Sequence, residues 1–193
     1  MTVDPIQVAL LAAEALESCG LRYLIGGSLA SSFSGEPRAT LDIDMVVDLS
    51  PKLVAAVVER MKGEFYADAD SLRRAAAEHS SANIIHLATS IKVDLFVMGG
   101  TPLDEQQMER RQQVQIPGVP GRFLYVYAPE DILLQKLRWY RLGGEKSDHQ
   151  WRDVMGILRV QGERLDGAYL RRGAETLGVE DLLSRALTEG EAP

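Results

Sequence analysis

Tyr23-Leu24-Ile25-Gly26-Gly27-Ser28 and, a loop later, Arg38-Ala39-Thr40-Leu41-Asp42-Ile43-Asp44 carry more structural information than any other part of this chain. A short apolar run meets a Gly-Gly break, and Leu29 and Phe33 then recur one helical turn apart, which predicts strand, turn and helix in succession. From Leu41 to Val47 carboxylates alternate with Leu41, Ile43 and Met45, as in a strand with two unlike faces. Residues two apart on a strand point the same way, so Asp42 and Asp44 are expected side by side. Two like charges so close repel unless a cation neutralises them. Hard oxygen ligands select Mg2+ or Mn2+, and a clustered set can serve the attacking and leaving oxygens of a phosphoryl transfer.

A third carboxylate is then wanted from a neighbouring strand. Asp94 is the candidate, because it stands alone among apolar residues in Ile91-Lys92-Val93-Asp94-Leu95-Phe96-Val97. Asp48 is the competitor, but it lies about 13 Å beyond Asp44 along an extended chain and reaches the same site only if the strand bends. Gly26, Gly27 and Ser28 fit from the other side. Glycines at a strand-to-helix turn let the backbone approach a phosphate, the helix N-terminus attracts its charge, and the Ser28 hydroxyl can donate to it. On this expectation Gly27→Val blocks the phosphate and costs far more affinity than stability.

Outward from this stretch, Val8, Leu11, Ala12, Ala15 and Leu16 predict a helix from about Pro5 to Cys19. Ser50-Pro51 opens another, up to about Lys62, and a short one is expected over 70–78. Asn83 to Ala88 and Ile91 to Val97 read as an antiparallel hairpin around Thr89-Ser90. Arg111 to Ile116 and Arg122 to Ala128 read as a second strand pair around Pro117-Gly118-Val119-Pro120-Gly121. From Pro129 the pattern is helical over about 129–142, 148–161, 166–177 and 179–187, with a loose tail from Glu189. The expected fold is therefore α/β: a mixed sheet flanked by helices over 1–128, then a C-terminal helical lobe over 129–193, with the site between them.

The chain has 193 residues, 46% hydrophobic and 25% charged, which excludes collagen-like and wholly disordered classes. No apolar run approaches the ~20 residues of a membrane-spanning helix. Glu14 and Glu17 interrupt the N-terminal apolar stretch, so it reads as an amphipathic helix and not a signal peptide. The single cysteine, Cys19, forms no intramolecular disulfide, and a cytoplasmic protein is expected. A net charge of −7 argues against indiscriminate nucleic-acid binding, although it hides an asymmetry: residues 1–121 carry 10 Lys+Arg against 16 Asp+Glu, whereas 122–175 carry 10 against 8. His79, His86 and His149 lack ligand spacing, so zinc is not expected. Trp139, Tyr140 and Trp151 have the spacing of helix core residues, with a base-stacking platform as the other possibility.

Taken together, a Gly-Gly-Ser after a strand, Asp-x-Asp on a second strand and a lone aspartate on a later one resemble the nucleotidyltransferase superfamily that includes DNA polymerase beta. Within it, the chain is similar to the abortive-infection nucleotidyltransferase toxins and their short bacterial relatives. Their pattern places a basic and a hydroxyl residue just before Asp-x-Asp, matched by Arg38 and Thr40. A helical lysine followed by a basic-Asp pair is matched by Lys136 and by Arg152-Asp153. The resemblance spans about 22–160. It implies metal-dependent transfer of a nucleoside monophosphate from a nucleoside triphosphate to a hydroxyl on an RNA end or a protein side chain, in a toxin–antitoxin or phage-defence setting with an antitoxin as a further partner. Asp42, Asp44 and Asp94 would hold Mg2+ or Mn2+, and Gly26, Gly27, Ser28, Arg38 and Lys136 would bind the nucleotide. Lys136 has a second reading, since a lysine on the Ile132/Tyr140 stripe can pack its stem on the core and pair with Asp153. The rival function is a nucleotide-binding regulatory module of the same fold without transfer activity.

Overall fold

The computed structural model describes residues 5–37, 40–116 and 118–190. The chain divides into two compact units, Met1–Leu29 with Ala39–Val126, and Ala30–Arg38 with Tyr127–Pro193.

The first unit contains α1 (Pro5–Ser18), β1 (Tyr23–Ile25), the start of α2 (Gly27–Ser34), β2 (Ile43–Val47), α3 (Val54–Met61) and β3 (Phe65–Ala67). It continues with α4 (Ala69–Glu78), β4 (Ser81–His86), β5 (Lys92–Val97), α5 (Pro102–Glu109), β6 (Gln112–Gln115) and β7 (Phe123–Val126). Among the described residues, seven strands form one sheet in the order β3-β4-β5-β2-β1-β7-β6. The sheet is mixed: β2 runs parallel to β5 and β1 to β7, and the other pairs are antiparallel.

Strand alternation decides which way each side chain faces. Ile43, Met45 and Val47 of β2 and Val93, Leu95 and Val97 of β5 are buried, whereas Asp44, Val46, Asp94 and Phe96 between them are half-buried. The sheet thus has an apolar face and a more polar one. The apolar stripes of α1 (Val8, Ala12, Leu16), α3 (Val54, Val57, Met61) and α4 (Leu72, Ala75, Ala76) are buried as well. Burying each of the larger aliphatic side chains contributes about 1.5–3 kcal/mol.

Two elements escaped the sequence reading. β3 has three residues, too few for a periodic signal. α5 has mostly polar residues and begins at a capping box, in which Thr101 Oγ1 accepts from the Asp104 N–H and Asp104 Oδ2 accepts from the Thr101 N–H. Several boundaries also shift: the strand expected over Asn83–Ala88 is Ser81–His86 and that over Arg122–Ala128 is Phe123–Val126. The strand expected from Leu41 begins at Ile43, since Leu41 is 73% exposed and Asp42 is exposed too. Glu189 is not tail but part of α9, where its carboxylate accepts from Trp151 Nε1 at 2.9 Å and Arg185 Nε at 2.8 Å.

The second unit packs the rest of α2 with α6 (Pro129–Leu142), α7 (Asp148–Gln161), α8 (Gly167–Leu177) and α9 (Glu180–Gly190). Its interior is unusually polar. Lys136 Nζ lies 2.7 Å from Asp153 Oδ2, and their side chains are only 3% and 5% exposed. Ser31 Oγ donates to the same Asp153 oxygen at 3.1 Å, and Tyr169 Oη donates to Asp131 Oδ1 at 2.5 Å. Tyr140 is buried with its ring 5.1 Å from that of Trp151, as helix core residues should be, whereas Trp139 is 49% exposed. No helix among the described residues is long and apolar enough to cross a membrane.

A buried ion pair is costly to break from one side, because the remaining charge has lost its water as well as its counter-ion. Lys136→Met is therefore expected to lower stability by about 3–5 kcal/mol in urea denaturation. A loss as small as that of an exposed surface pair would refute a stabilising role for the contact with Asp153.

Candidate active site

β1 ends at Ile25, and the antiparallel ladder to β2 continues one step further, with the Gly26 N–H donating to the Asp44 carbonyl oxygen at 2.8 Å. This bond sets the level at which Asp44 meets the turn. Gly27 then starts α2 with φ +55°, in the left-handed region that L side chains rarely adopt. A Cβ added to Gly27 would stand 1.7 Å from Asp44 Oδ2 and 2.6 Å from its Cγ. The space beside Gly27 is thus filled by the Asp44 carboxylate, which rests against the first turn of α2, where a negative charge is favoured.

This revises the expectation for Gly27→Val. The expectation that it costs far more affinity than stability assumes that the side chain fills only a phosphate space; here it collides with Asp44 and strains the backbone too.

β5 supplies the next carboxylate. The parallel register pairs Asp44 with Asp94, and the antiparallel register of β4 with β5 pairs Asp94 with Asn83. Asp44, Asp94 and Asn83 therefore form one row across three adjacent strands, all on the polar face. The Lys92 ammonium, two residues before Asp94 and on the same face, reaches Asp94 Oδ2 at 2.8 Å. Its pKa is raised, first by the hydrogen bond to Asp94 and the charge of Asp94, then by the more distant charges of Asp42 and Asp44. One ammonium thus lies in the field of all three acids.

Asp42 is not on β2. It precedes the strand, exposed, in a turn held by Thr40, whose Oγ1 accepts from the Asp42 N–H at 3.2 Å and donates to the Asp42 carbonyl at 3.3 Å. The hydroxyl residue before Asp-x-Asp accordingly fixes the backbone of that turn. Asp48, the alternative third acid, is held elsewhere: Arg22 Nη2 contacts its Oδ2 at 2.6 Å and Glu105 Oε2 at 3.1 Å. Arg38 lies outside the described residues. Lys136 belongs to the helical unit, where its ammonium is in the interior bond to Asp153, so the pairing reading describes its observed contact. Two parts of the sequence pattern, the helical lysine and the Arg152-Asp153 pair, are therefore bonded to each other.

Asn83 and Lys92 went unmarked in the sequence. Lys92 was legible in principle, because a residue two before Asp94 shares its face, whereas Asn83 needed the hairpin register. Cys19 is half-buried and free.

Among the described residues, no three carboxylate, imidazole or thiolate groups already stand around a common point where an ion would sit. The donor chemistry nevertheless suits a hard divalent cation: Asp44 and Asp94 are in register and Asp42 acts on the same ammonium, so the local excess is carboxylate oxygen.

No family model matches the chain, and no curated protein matches it. Two solved structures are similar along nearly the whole length. An antigenic nucleotidyltransferase-like protein from Paracoccidioides brasiliensis is 21% identical with a TM-score of 0.55, over 95% of this chain and 91% of that one. The antibiotic-resistance factor ANT(2'')-Ia is 16% identical with a TM-score of 0.53, over 97% of both chains. The class is α/β, with a mixed sheet and helices. More particularly, the chain has the nucleotidyltransferase fold.

Gly27→Ala is expected to lower stability by about 1–3 kcal/mol in chemical denaturation, from the positive φ and the displaced carboxylate together. Introducing Asp44→Ala in the same protein should return part of that loss, since the Cβ then has room. Full additivity of the two changes would show that Gly27 and Asp44 do not compete for space.

Proposed function

We propose that this chain is a metal-dependent nucleotidyltransferase that moves a nucleoside monophosphate from a nucleoside triphosphate to a hydroxyl on an RNA end or a protein side chain. The observation that carries the reading is the in-register pair Asp44 and Asp94 beside the Gly27-Ser28 turn. The fold shared with a nucleotidyltransferase-like protein supports it. Asp42, Asp44 and Asp94 would hold Mg2+ or Mn2+. When bound, the metal supplies charge neutralisation at the phosphates and a more acidic acceptor hydroxyl.

The chain's own groups have distinct tasks. The backbone N–H groups at Gly27 and Ser28 and the Ser28 hydroxyl orient the triphosphate, helped by the positive end of α2; Gly26 lets the phosphates approach the turn while its own N–H holds Asp44, and Arg38 adds a further phosphate contact. An Asp94 carboxylate oxygen accepts the proton of the acceptor hydroxyl. The acceptor oxygen then bonds to the α-phosphorus as the bond from that phosphorus to the bridging oxygen breaks, and pyrophosphate leaves. Lys136 serves the interior of the helical unit through Asp153. The protein works in the cytoplasm, within a toxin–antitoxin or phage-defence setting in which an antitoxin is the partner.

The test is transfer of α-phosphate label from each nucleoside triphosphate, with Mg2+, into total RNA and total protein. Asp94→Asn should reduce the rate by about 10²–10⁴-fold, the contribution of a positioned base, with melting temperature preserved. Nucleotide binding without labelling of either pool would favour the regulatory module, and unaffected labelling by Asp94→Asn would remove Asp94 from the reaction.

A further inference from the structure

Lys92 is not accounted for by any step above. Its stem rises from β5 on the face that carries Asp94, and its ammonium contacts Asp94 Oδ2 at 2.8 Å, with side chains 48% and 23% exposed. The pair is therefore open to solvent and exchangeable, unlike the sealed Lys136–Asp153 pair. Asp44 is level with Asp94 across the parallel register, so the ammonium stands on the face that carries both carboxylates. An ordinary surface ion pair joins one acid to one base. Here the acid in the pair is in register with a second acid on the neighbouring strand, and both are carboxylates assigned to the metal.

We infer that Lys92 is a built-in counter-ion of the aspartate cluster, holding Asp94 in place before the metal arrives and competing with the divalent cation for the same carboxylate oxygens. This rests on the nucleotidyltransferase reading of the cluster. The physical basis is simple: carboxylates held in register repel, and a tethered ammonium lowers that repulsion at no cost in translational freedom. A cation with two charges displaces one with a single charge, and Lys92 then swings away on its flexible stem. Metal occupancy is thereby made harder in the absence of nucleotide, whose phosphates contribute further oxygen ligands. Lys92 is thus a positioning residue that sets when the metal binds.

The experiment titrates the metal-stripped full chain with Mn2+ alone, without nucleotide, and reads free Mn2+ by electron paramagnetic resonance. Lys92→Met keeps most of the stem and removes the charge; Lys92→Arg keeps the charge; Asp44→Asn reports whether the signal belongs to the cluster. Lys92→Met should bind Mn2+ at least roughly fivefold more tightly than the natural chain, the effect of removing one unit charge within about 8 Å of a divalent ion in water. Lys92→Arg should stay close to the natural chain, and the difference should shrink at high salt. A merely structural surface pair would change the melting temperature slightly and leave Mn2+ affinity alone. Equal or weaker Mn2+ binding by Lys92→Met, with binding abolished by Asp44→Asn, overturns the inference while the metal-dependent reading stands. No Mn2+ binding by either the natural chain or Lys92→Met overturns both.

Discussion

The absence of a side chain at Gly27 is the constraint on which the rest of the site depends. The carboxylate of Asp44 occupies the position where a Cβ would be, 1.7 Å from it, and the backbone there has a φ of +55°. Only glycine meets both conditions without strain. Two chain segments distant in sequence are thereby locked together: the strand-to-helix turn after β1 and the acid-bearing strand β2. The Gly26 N–H to Asp44 carbonyl bond fixes the same junction through the backbone. Once β2 is set, the parallel register to β5 leaves no choice about which residue of β5 lies beside Asp44, and that residue is Asp94. A one-residue slip would send Asp94 to the apolar face and Leu95 to the polar one, at a prohibitive cost in burial. The placement of the two acids is therefore a by-product of core packing.

Two lysines illustrate opposite ways of answering a carboxylate. Lys136 and Asp153 are sealed in the helical unit, where Ser31 adds a hydrogen bond to the same oxygen. Such a pair fixes geometry because neither partner tolerates solitude. Lys92 and Asp94 stand half in water, where a pair contributes little stability and is readily exchanged. The first arrangement belongs to structure and the second suits a site that must accept another cation.

Much of this was legible in the sequence where periodicity was long. The helices after Pro129, α1, α4 and both hairpins follow from apolar spacing and turn residues, and Gly26-Gly27-Ser28 with Asp-x-Asp pointed to the right junction. What escaped was short or relational. β3 has too few residues to establish a period, and α5 depends on the Thr101–Asp104 capping box more than on an apolar stripe. Asp42 read as a strand residue because alternation continues through it, but Thr40 closes a turn there and the ladder starts at Ile43. The neighbourhood of Asp94 required registers from two different strands, which single-strand patterns do not contain. Lys136 sat on an apolar stripe that fitted two roles, nucleotide binding and an interior pair, and only the packing of α7 against α6 brought Asp153 to it.

The central claim is that the Gly27 turn and the in-register aspartates together form a metal-assisted nucleotide site. It is tested most directly by anomalous diffraction from crystals of the full chain grown with Mn2+ and a nucleoside triphosphate analogue that cannot be cleaved. The account predicts a manganese peak at about 2.0–2.2 Å from carboxylate oxygens of both Asp44 and Asp94, with the triphosphate against the N–H groups of Gly27 and Ser28. A well-ordered nucleotide elsewhere on the protein, with no manganese at these aspartates, would contradict it.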